Sequence, residues 1–236
     1  MAMKLTLVGL PLGKAEDMSI RAMKALVGAD LIVCEDTRVL LKLWQKLVNL
    51  GFVEGKLIAD LRVINEFNEK EKVNELLEEI SKKDEAILVS DAGLPTVSDP
   101  GYRLVKAVIN EGGEIEIVPG PTAVMTSVAV SGFSSDRVLF LGFLAKKTGK
   151  KKKEMERLKK LKGEGLTVVI YESPHRIEKT LTFLSDELGG TVDACLVREL
   201  TKEHEEEIRG SLTKLIEISK ERKLRGEITL VMRLED

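Results

Sequence analysis

The chain is poor in cysteine, histidine and aromatic residues, and each scarcity excludes something. Two cysteines, Cys34 and Cys195, each inside an apolar run, cannot build a disulfide framework. The only histidines, His175 and His204, stand in no Cys/His spacing that would hold zinc, so no metal site is expected. A reducing, cytoplasmic compartment fits this cysteine usage. The longest apolar runs, at 31–34 and 167–171, fall far short of the ~18–20 residues needed to cross a bilayer. The opening residues Met1-Ala2-Met3-Lys4 carry no apolar core of a signal peptide, so the expectation is a soluble, unexported chain with no membrane partner. Proline is sparse, and glutamine occurs once, at Gln45, a bias shared with heat-adapted proteins.

What is present, 43% apolar and 32% charged residues, is enough to bury the core of one large domain or two small ones. A net charge of −2 gives no global argument for nucleic acid. The distribution is less even. Between Lys146 and Lys162 stand ten basic residues (Lys146, Lys147, Lys150, Lys151, Lys152, Lys153, Arg157, Lys159, Lys160, Lys162) against Glu154 and Glu156, a local +8. Such a run is either a solvated helix face or an arm that meets a polyanion.

The first 120 residues alternate strand and helix. The pattern predicts strands at 4–9, 31–35, 86–91 and 115–118. A helix beginning near Ser19, its N-cap, puts Ile20, Met23 and Val27 on one face. Val73, Leu76, Leu77 and Ile80 mark another. This alternation predicts a parallel sheet covered by helices. After Pro119-Gly120-Pro121 longer strands are expected at 138–144, 167–172, 194–200 and 227–234, in a mixed sheet with helices. The fold class is therefore α/β, with domains over 1–120 and 121–236.

Four groups of residues fall at the carboxyl ends of these strands, where open α/β sheets bind ligands. Gly9-Leu10-Pro11-Leu12-Gly13 lacks the G-x-G-x-x-G spacing of a dinucleotide site. Residues 90–101 make a twelve-residue connection where ~2–6 residues are usual, rich in Gly, Asp and Ser, which leaves backbone N–H and C=O groups accessible. Pro119-Gly120-Pro121-Thr122-Ala123 stiffens the chain, as a rigid linker or as the wall of a cofactor site. The charged clusters Glu35-Asp36-Thr37-Arg38, Glu172-Ser173-Pro174-His175-Arg176 and 198–204 (Arg198, Glu199, Leu200, Thr201, Lys202, Glu203, His204) are either interdomain salt bridges or a site for an anionic or polar substrate. The clusters supply several candidate proton acceptors, Glu35, Asp36, Glu172, His175 and Glu199. Their basic members, Arg38, Arg176, Arg198 and Lys202, would steady an anionic group.

Taken in order, these segments resemble the bacterial 16S rRNA cytidine 2′-O-ribose methyltransferases, in the tetrapyrrole-methylase-like class (class III) of S-adenosyl-L-methionine (SAM) enzymes. The likeness runs from Leu5 to Val231. It departs at Leu10, Lys14, Leu94 and Thr96, in the absence of histidines from Ile64-Asn65-Glu66-Phe67-Asn68, and in the absence of an extension after the last strand. The resemblance implies a tetrapyrrole methylase-like fold, with an N-terminal parallel-sheet domain and a C-terminal mixed-sheet domain. It further implies SAM in the cleft between them, a homodimer, and methyl transfer to a cytidine 2′-OH in the decoding region of 16S rRNA, free or in the small ribosomal subunit. The implied cofactor contacts are Pro11, Ser90, Asp91, Ala92, Gly93, Ser98, Asp99, Pro121, Thr122, Ala123, Glu172 and Val197. Two rival readings are a tetrapyrrole C-methyltransferase, whose Gly-x-Gly-Pro-Gly start is missing from Gly9–Gly13, and a SAM-binding protein without turnover.

Overall fold

The computed structural model describes residues 3–161, 163 and 165–235; Met1 and Ala2 of the opening segment and Lys162 of the basic run lie outside the described residues. The chain divides into two compact units, Met1–Thr122 and Ala123–Asp236.

In the first unit the strands are β1 (Lys4–Val8), β2 (Leu31–Cys34), β3 (Asp60–Val63), β4 (Ala86–Leu88) and β5 (Glu114–Val118). The helices are α1 (Ile20–Gly28), α2 (Thr37–Asn49), α3 (Glu69–Ile80) and α4 (Tyr102–Asn110). The sheet order is β3-β2-β4-β1-β5 and every pairing is parallel. Its central strands are buried on both faces, which is why they read as continuous apolar runs. Val8, Ile32, Cys34 and Ile87 pack on one side with Leu26 of α1 and Leu40, Trp44 and Leu47 of α2. Leu5, Leu7, Leu31, Val33 and Leu88 pack on the other with Leu76 and Ile80 of α3 and Leu104 and Val108 of α4.

Strands β1 and β2 therefore launch helices over one face, and β3 and β4 over the other. β4 lies between β2 and β1, so its outgoing loop parts from theirs at the carboxyl edge of the sheet. That divergence marks a topological switch point, the usual ligand position in such sheets.

Helix α1 corrects the expected face. Ser19 does cap it, its Oγ accepting from Ala22 N–H at 3.1 Å. But Ile20 and Val27 are 68% and 54% exposed, while Met18, Ala22 and Leu26 are buried. Two overlapping stripes compete at helical spacing, and the one containing the small Ala22 lets the helix approach the sheet most closely. Helix α2 and strand β3 are not assigned from the sequence. The α2 core stripe, Leu40, Trp44 and Leu47, lies directly behind the charged 35–38 segment. β3 is an edge strand of mixed polarity, held by Lys83–Asp60 and Arg62–Glu79 ion pairs, both at 2.8 Å. Edge strands carry a weak apolar signal.

In the second unit the helices are α5 (Ala123–Ser131), α6 (Thr148–Lys159), α7 (Ile177–Leu188) and α8 (Leu212–Glu221). The strands are β6 (Val138–Phe143), β7 (Leu166–Glu172), β8 (Asp193–Arg198), β9 (Glu206–Ser211) and β10 (Ile228–Leu234). The order is β6-β7-β10-β8-β9, with β6 parallel to β7 and the other pairs antiparallel: a mixed sheet. Alternation along β10 sends Ile228, Leu230, Met232 and Leu234 into one core with α6, α7 and α8. The C-terminal end of α5 is tied to β9 by Arg209, whose guanidinium donates to the carbonyls of Ser131 (3.3 Å) and Val130, a cation placed where the helix dipole favours it. Strand β9 has no sequence signature because Ile208 is its one buried residue. The strand expected over 194–200 ends at Arg198, since Glu199 and Thr201 take left-handed φ values of 51° and 59° that turn the chain out of the sheet.

Candidate functional site

In the first unit the carboxyl edge of the sheet is built by backbone contact. Gly9 donates to Val118 O at 3.0 Å, continuing the β1–β5 ladder into the loops. A Cβ on Gly9 would lie 2.7 Å from Gly120 Cα, and one on Gly120 would lie 2.8 Å from Gly9 Cα, so the two loops touch where only glycine fits. Leu10 and Gly93 exchange hydrogen bonds, Leu10 N–H to Gly93 O at 2.8 Å and Gly93 N–H to Leu10 O at 3.1 Å. These bonds clip the long 90–101 connection onto the first loop beside Pro11. Gly93 has φ +76°, and a Cβ there would meet Leu12 Cδ2 and Pro121 O, each at 3.2 Å. Ser90 is buried and its hydroxyl lies within reach of the carbonyls of Ala92 (3.1 Å) and Gly93 (3.3 Å), closing the turn. Thr96 and Ser98 hold left-handed φ values of 71° and 65°, conformations that cost about 1–3 kcal/mol each and concentrate at ligand sites.

Carboxylates gather on this edge. Asp91 Oδ1 accepts from the N–H of Asp36 at 3.1 Å, joining the β4 loop to the end of β2. Asp36 itself is the N-cap of α2, accepting from Arg38 N–H at 2.8 Å, and it pairs with the Arg38 guanidinium at 2.6 Å. Those bonds hold its carboxyl down to about 2. Asp36 and Arg38 thus form a cap and its ion pair, and Asp36 is spent as a proton acceptor. Glu35 is different. Partial burial, then the charges of Asp91, Asp99, Glu66 and Asp36, push its carboxyl up to about 7. A carboxyl so tuned toward neutrality is suited to general-base work. Burial, with Asp91 and Asp36, pushes the neighbouring Cys34 thiol up to about 12, which makes it an inert core residue.

The structure therefore brings together Pro11, Ser90, Asp91, Ala92, Gly93 and Pro121 through the Leu10–Gly93 clip, with Glu35 and Asp36 beside them. Ser98 and Asp99 belong to the same connection. Thr122 closes this unit.

The remaining sequence candidates lie in the second unit. Glu172 is fully buried at the end of β7: Oε2 accepts from Thr180 Oγ1 at 2.6 Å and Oε1 from Ser173 N–H at 2.8 Å, with Arg176 at 3.3 Å. Arg176 also donates to Leu144 O at 2.8 Å. The pair ties the start of α7 to the sheet. Arg198 donates to Arg225 O and His204 O and pairs with Glu206 at 3.1 Å. Glu199 accepts from Glu227 N–H at 3.0 Å and from Lys202 at 3.2 Å, and Lys202 also reaches Glu227 at 2.9 Å. This network fixes a strained turn, so Glu199 is a brace within it. Val197 is buried in mid-β8, registered with Thr229 and Glu207. Ala123 opens α5. His175 is exposed and lines a cavity of 380 Å³ with Lys179, Lys220 and Lys223.

The basic run forms α6 and its approach. Met155 and Leu158 are its buried anchors, Lys151 sits 4.8 Å over the Phe183 ring, and Lys159 pairs with Glu187 at 2.6 Å. Lys146, Lys147, Lys150, Lys152, Lys153, Arg157 and Lys160 are exposed. Among the described residues no cluster of His, Cys, Asp and Glu could hold a metal ion, and no helix is long and apolar enough to cross a membrane.

The comparisons with known proteins bear on this architecture. The profile described as Tetrapyrrole (Corrin/Porphyrin) Methylases matches residues 4–216. The protein named ribosomal RNA small subunit methyltransferase I of Thermotoga maritima is 40% identical over 229 residues, covering 97% of each chain. Its namesake in Bacillus subtilis is 38% identical, over 97% of this chain and 74% of its own. Among solved structures, a cobalamin biosynthetic enzyme, cobalt precorrin-4 methyltransferase, superposes with a TM-score of 0.69 at 17% identity, over 98% of this chain and 94% of its own. Diphthine synthase gives 0.69 at 14% identity, over 97% and 89%. At those identities the structural likeness establishes the fold. Fold and relatives together define a SAM-dependent methyltransferase. The chain belongs to the tetrapyrrole (corrin/porphyrin) methylase family.

Proposed function

We propose that this protein methylates small-subunit ribosomal RNA at the ribose 2′-OH of a cytidine in the decoding region, acting in the cytoplasm as a homodimer. The substrate class is supported by the relatives, which carry an rRNA methyltransferase name at 36–40% identity over nearly the whole chain. The chemistry is supported by one observation above the others: a half-buried carboxyl, Glu35, poised near neutrality at the carboxyl edge of the first sheet.

The residues present fit SAM. The sulfonium and amino groups of SAM are cationic, and Glu35, Asp91 and Asp99 supply a negative field for them. The glycine-bearing turn at Ser90–Gly93, with Pro11 and Pro121 beside it, leaves backbone groups approachable where a Cβ would intrude. When bound, SAM supplies a methyl group already activated by its positive sulfur. What the chain must add is alignment and a place for the proton. Holding the acceptor hydroxyl in line is worth up to ~7–11 kcal/mol in the best intramolecular cases. Glu35, ionised, accepts the hydroxyl proton, a contribution of ~10²–10⁴-fold in rate. A carboxyl with the usual acidic pKa would be a weaker base for an alcohol, and burial together with the neighbouring carboxylates corrects this. The exposed lysines of α6 hold phosphates and position the RNA without reading its sequence.

The test is radiolabelled methyl transfer from SAM to small subunits that lack the modification, with porphyrinogen as the competing acceptor and sedimentation mass for the dimer. Label in the small-subunit RNA is expected. Label only in the porphyrinogen, or SAM binding without transfer to either acceptor, overturns the reading.

A further inference from the structure

We propose that Phe67 and Tyr102 form a stacking platform that receives unpaired RNA bases flanking the ribose being methylated. The proposal rests on the rRNA reading above and adds to it the chemistry by which RNA is held at the first unit. Aromatic residues make up only 4% of the chain. Trp44 is buried, and Phe140 and Phe143 both pack edge-on against Tyr171. Phe67 instead is 90% exposed, and Tyr102 is 63% exposed. Leaving a phenyl ring in water forgoes the free energy of burying it.

The Phe67 ring is not on a loose tip. Asn65 Oδ1 accepts from the N–H groups of Phe67 (3.0 Å) and Asn68 (3.1 Å), Asn68 Oδ1 accepts from Asn65 N–H (2.8 Å), and Asn68 Nδ2 donates to Val63 O (3.3 Å). The turn is therefore fixed on the end of β3 with its ring pointing away from any core. The same turn is joined to the start of α4, because Glu69 Oε1 accepts from Gly101 N–H at 3.0 Å and Arg103 N–H at 2.8 Å. Tyr102, between those two donors, is thereby set beside the turn that carries Phe67.

Place and charge identify the occupant. Both turns stand at the carboxyl edge that holds Glu35. Glu66 precedes Phe67 and Asp99 lies three residues before Tyr102, and both act electrostatically on Glu35. An edge lined by carboxylates repels phosphates, so RNA can be gripped there only through its uncharged parts. The π-faces of bases are such parts, and aromatic rings hold them whatever the base. A protein partner fits less well: two rings flanked in the chain by Glu66, Asn68 and Arg103 do not make the continuous apolar centre of an interface of about 800 Å² per side.

The experiment measures methyl transfer to small subunits for Phe67→Ala, Tyr102→Ala, Phe67→Leu and Phe67→Trp, with thermal midpoints and solution masses. In parallel, quenching of a single 2-aminopurine in a single-stranded pyrimidine RNA is read with the same proteins. Each alanine variant should raise KM roughly 5- to 150-fold, the range that one base–aromatic stack supports. Its kcat, SAM affinity and midpoint should be little changed. Phe67→Trp should retain KM and quenching, and Phe67→Leu should behave like alanine. Unchanged KM in both alanine variants overturns the platform, as does a Leu variant that restores KM, which would mark a plain apolar contact. A changed solution mass with unchanged KM would make this a face between copies. If the wild type modifies no small subunit, the rRNA reading fails, and the quenching arm alone decides the platform: loss in both alanine variants supports it, retention overturns it.

Discussion

Replacing Glu35 with glutamine removes a carboxylate that the folded protein holds under electrostatic strain, and the consequences for stability and rate should run in opposite directions. The carboxyl rises from 4.5 to about 7 on folding, through burial first and the surrounding acidic charges second. A shift of roughly 2.5 units corresponds to about 3 kcal/mol at most, since each unit is about 1.4 kcal/mol. The site is partly open to solvent, and screening reduces this to about 1–2 kcal/mol. Between pH 4.5 and about 7 the native state binds a proton that the unfolded chain has released, so wild-type stability falls as pH rises through that window. Glutamine keeps the shape and carries no charge. Glu35→Gln should match the wild type near pH 4.5 and exceed it by about 1–2 kcal/mol at pH 8. Urea unfolding of the two proteins at both pH values reads the difference. The same variant should lose ~10²–10⁴-fold in methyl transfer while retaining its fold. A stability difference that does not change with pH would refute the strain, and a wild-type transfer rate would refute the role as base.

Gly93→Val should fold with a destabilised first unit and lose SAM binding by calorimetry, because a β-branched residue at φ +76° would press on Leu12 and Pro121 O; unchanged affinity would move the cofactor elsewhere. Glu172→Ala should destabilise the second unit by about 2–4 kcal/mol in chemical unfolding, since it strands the Thr180 hydroxyl and the Ser173 N–H; a neutral effect would return Glu172 to the list of bases. Changing the exposed Lys150, Lys152 and Lys153 together to Ser, and sparing Lys151 on Phe183, should weaken RNA binding and flatten the salt dependence of log affinity by about 2. The modified nucleotide should stay the same. An unaltered slope would make α6 a solvated face.

Much of the architecture was legible because buried parallel strands are written as short apolar runs and turns as Gly and Pro. Helix α2 was missed behind the charged 35–38 segment, and elsewhere the signal was diluted or divided. The edge strands β3 and β9 have few apolar residues, and α1 offered two stripes of similar strength. The first unit's loops stood out in the sequence because twelve residues joining strand to helix is an unusual length. The charged clusters were legible as clusters but not as roles. Sequence shows that Glu172 follows a strand, but not that its side chain turns inward onto Thr180. Nor does it show that Asp36 caps a helix while its neighbour Glu35 is left among like charges. Those roles depend on side-chain direction and long-range neighbours such as Asp91 and Asp99. Phe67 went unnoticed as a candidate because a lone aromatic usually marks core; only its exposure sets it apart.

The central claim is the chemical identity of the acceptor, and alkali provides the most direct measurement. RNA strands break in alkali by attack of the 2′-oxygen on the adjacent phosphate, so a methylated 2′-oxygen protects its own 3′ linkage. Small-subunit RNA labelled by this protein should yield, after complete alkaline hydrolysis, the label in an alkali-stable dinucleotide whose first residue is cytidine. Label released entirely in mononucleotides would place the methyl group on a base, and the account of Glu35 as acceptor of a ribose proton would be wrong.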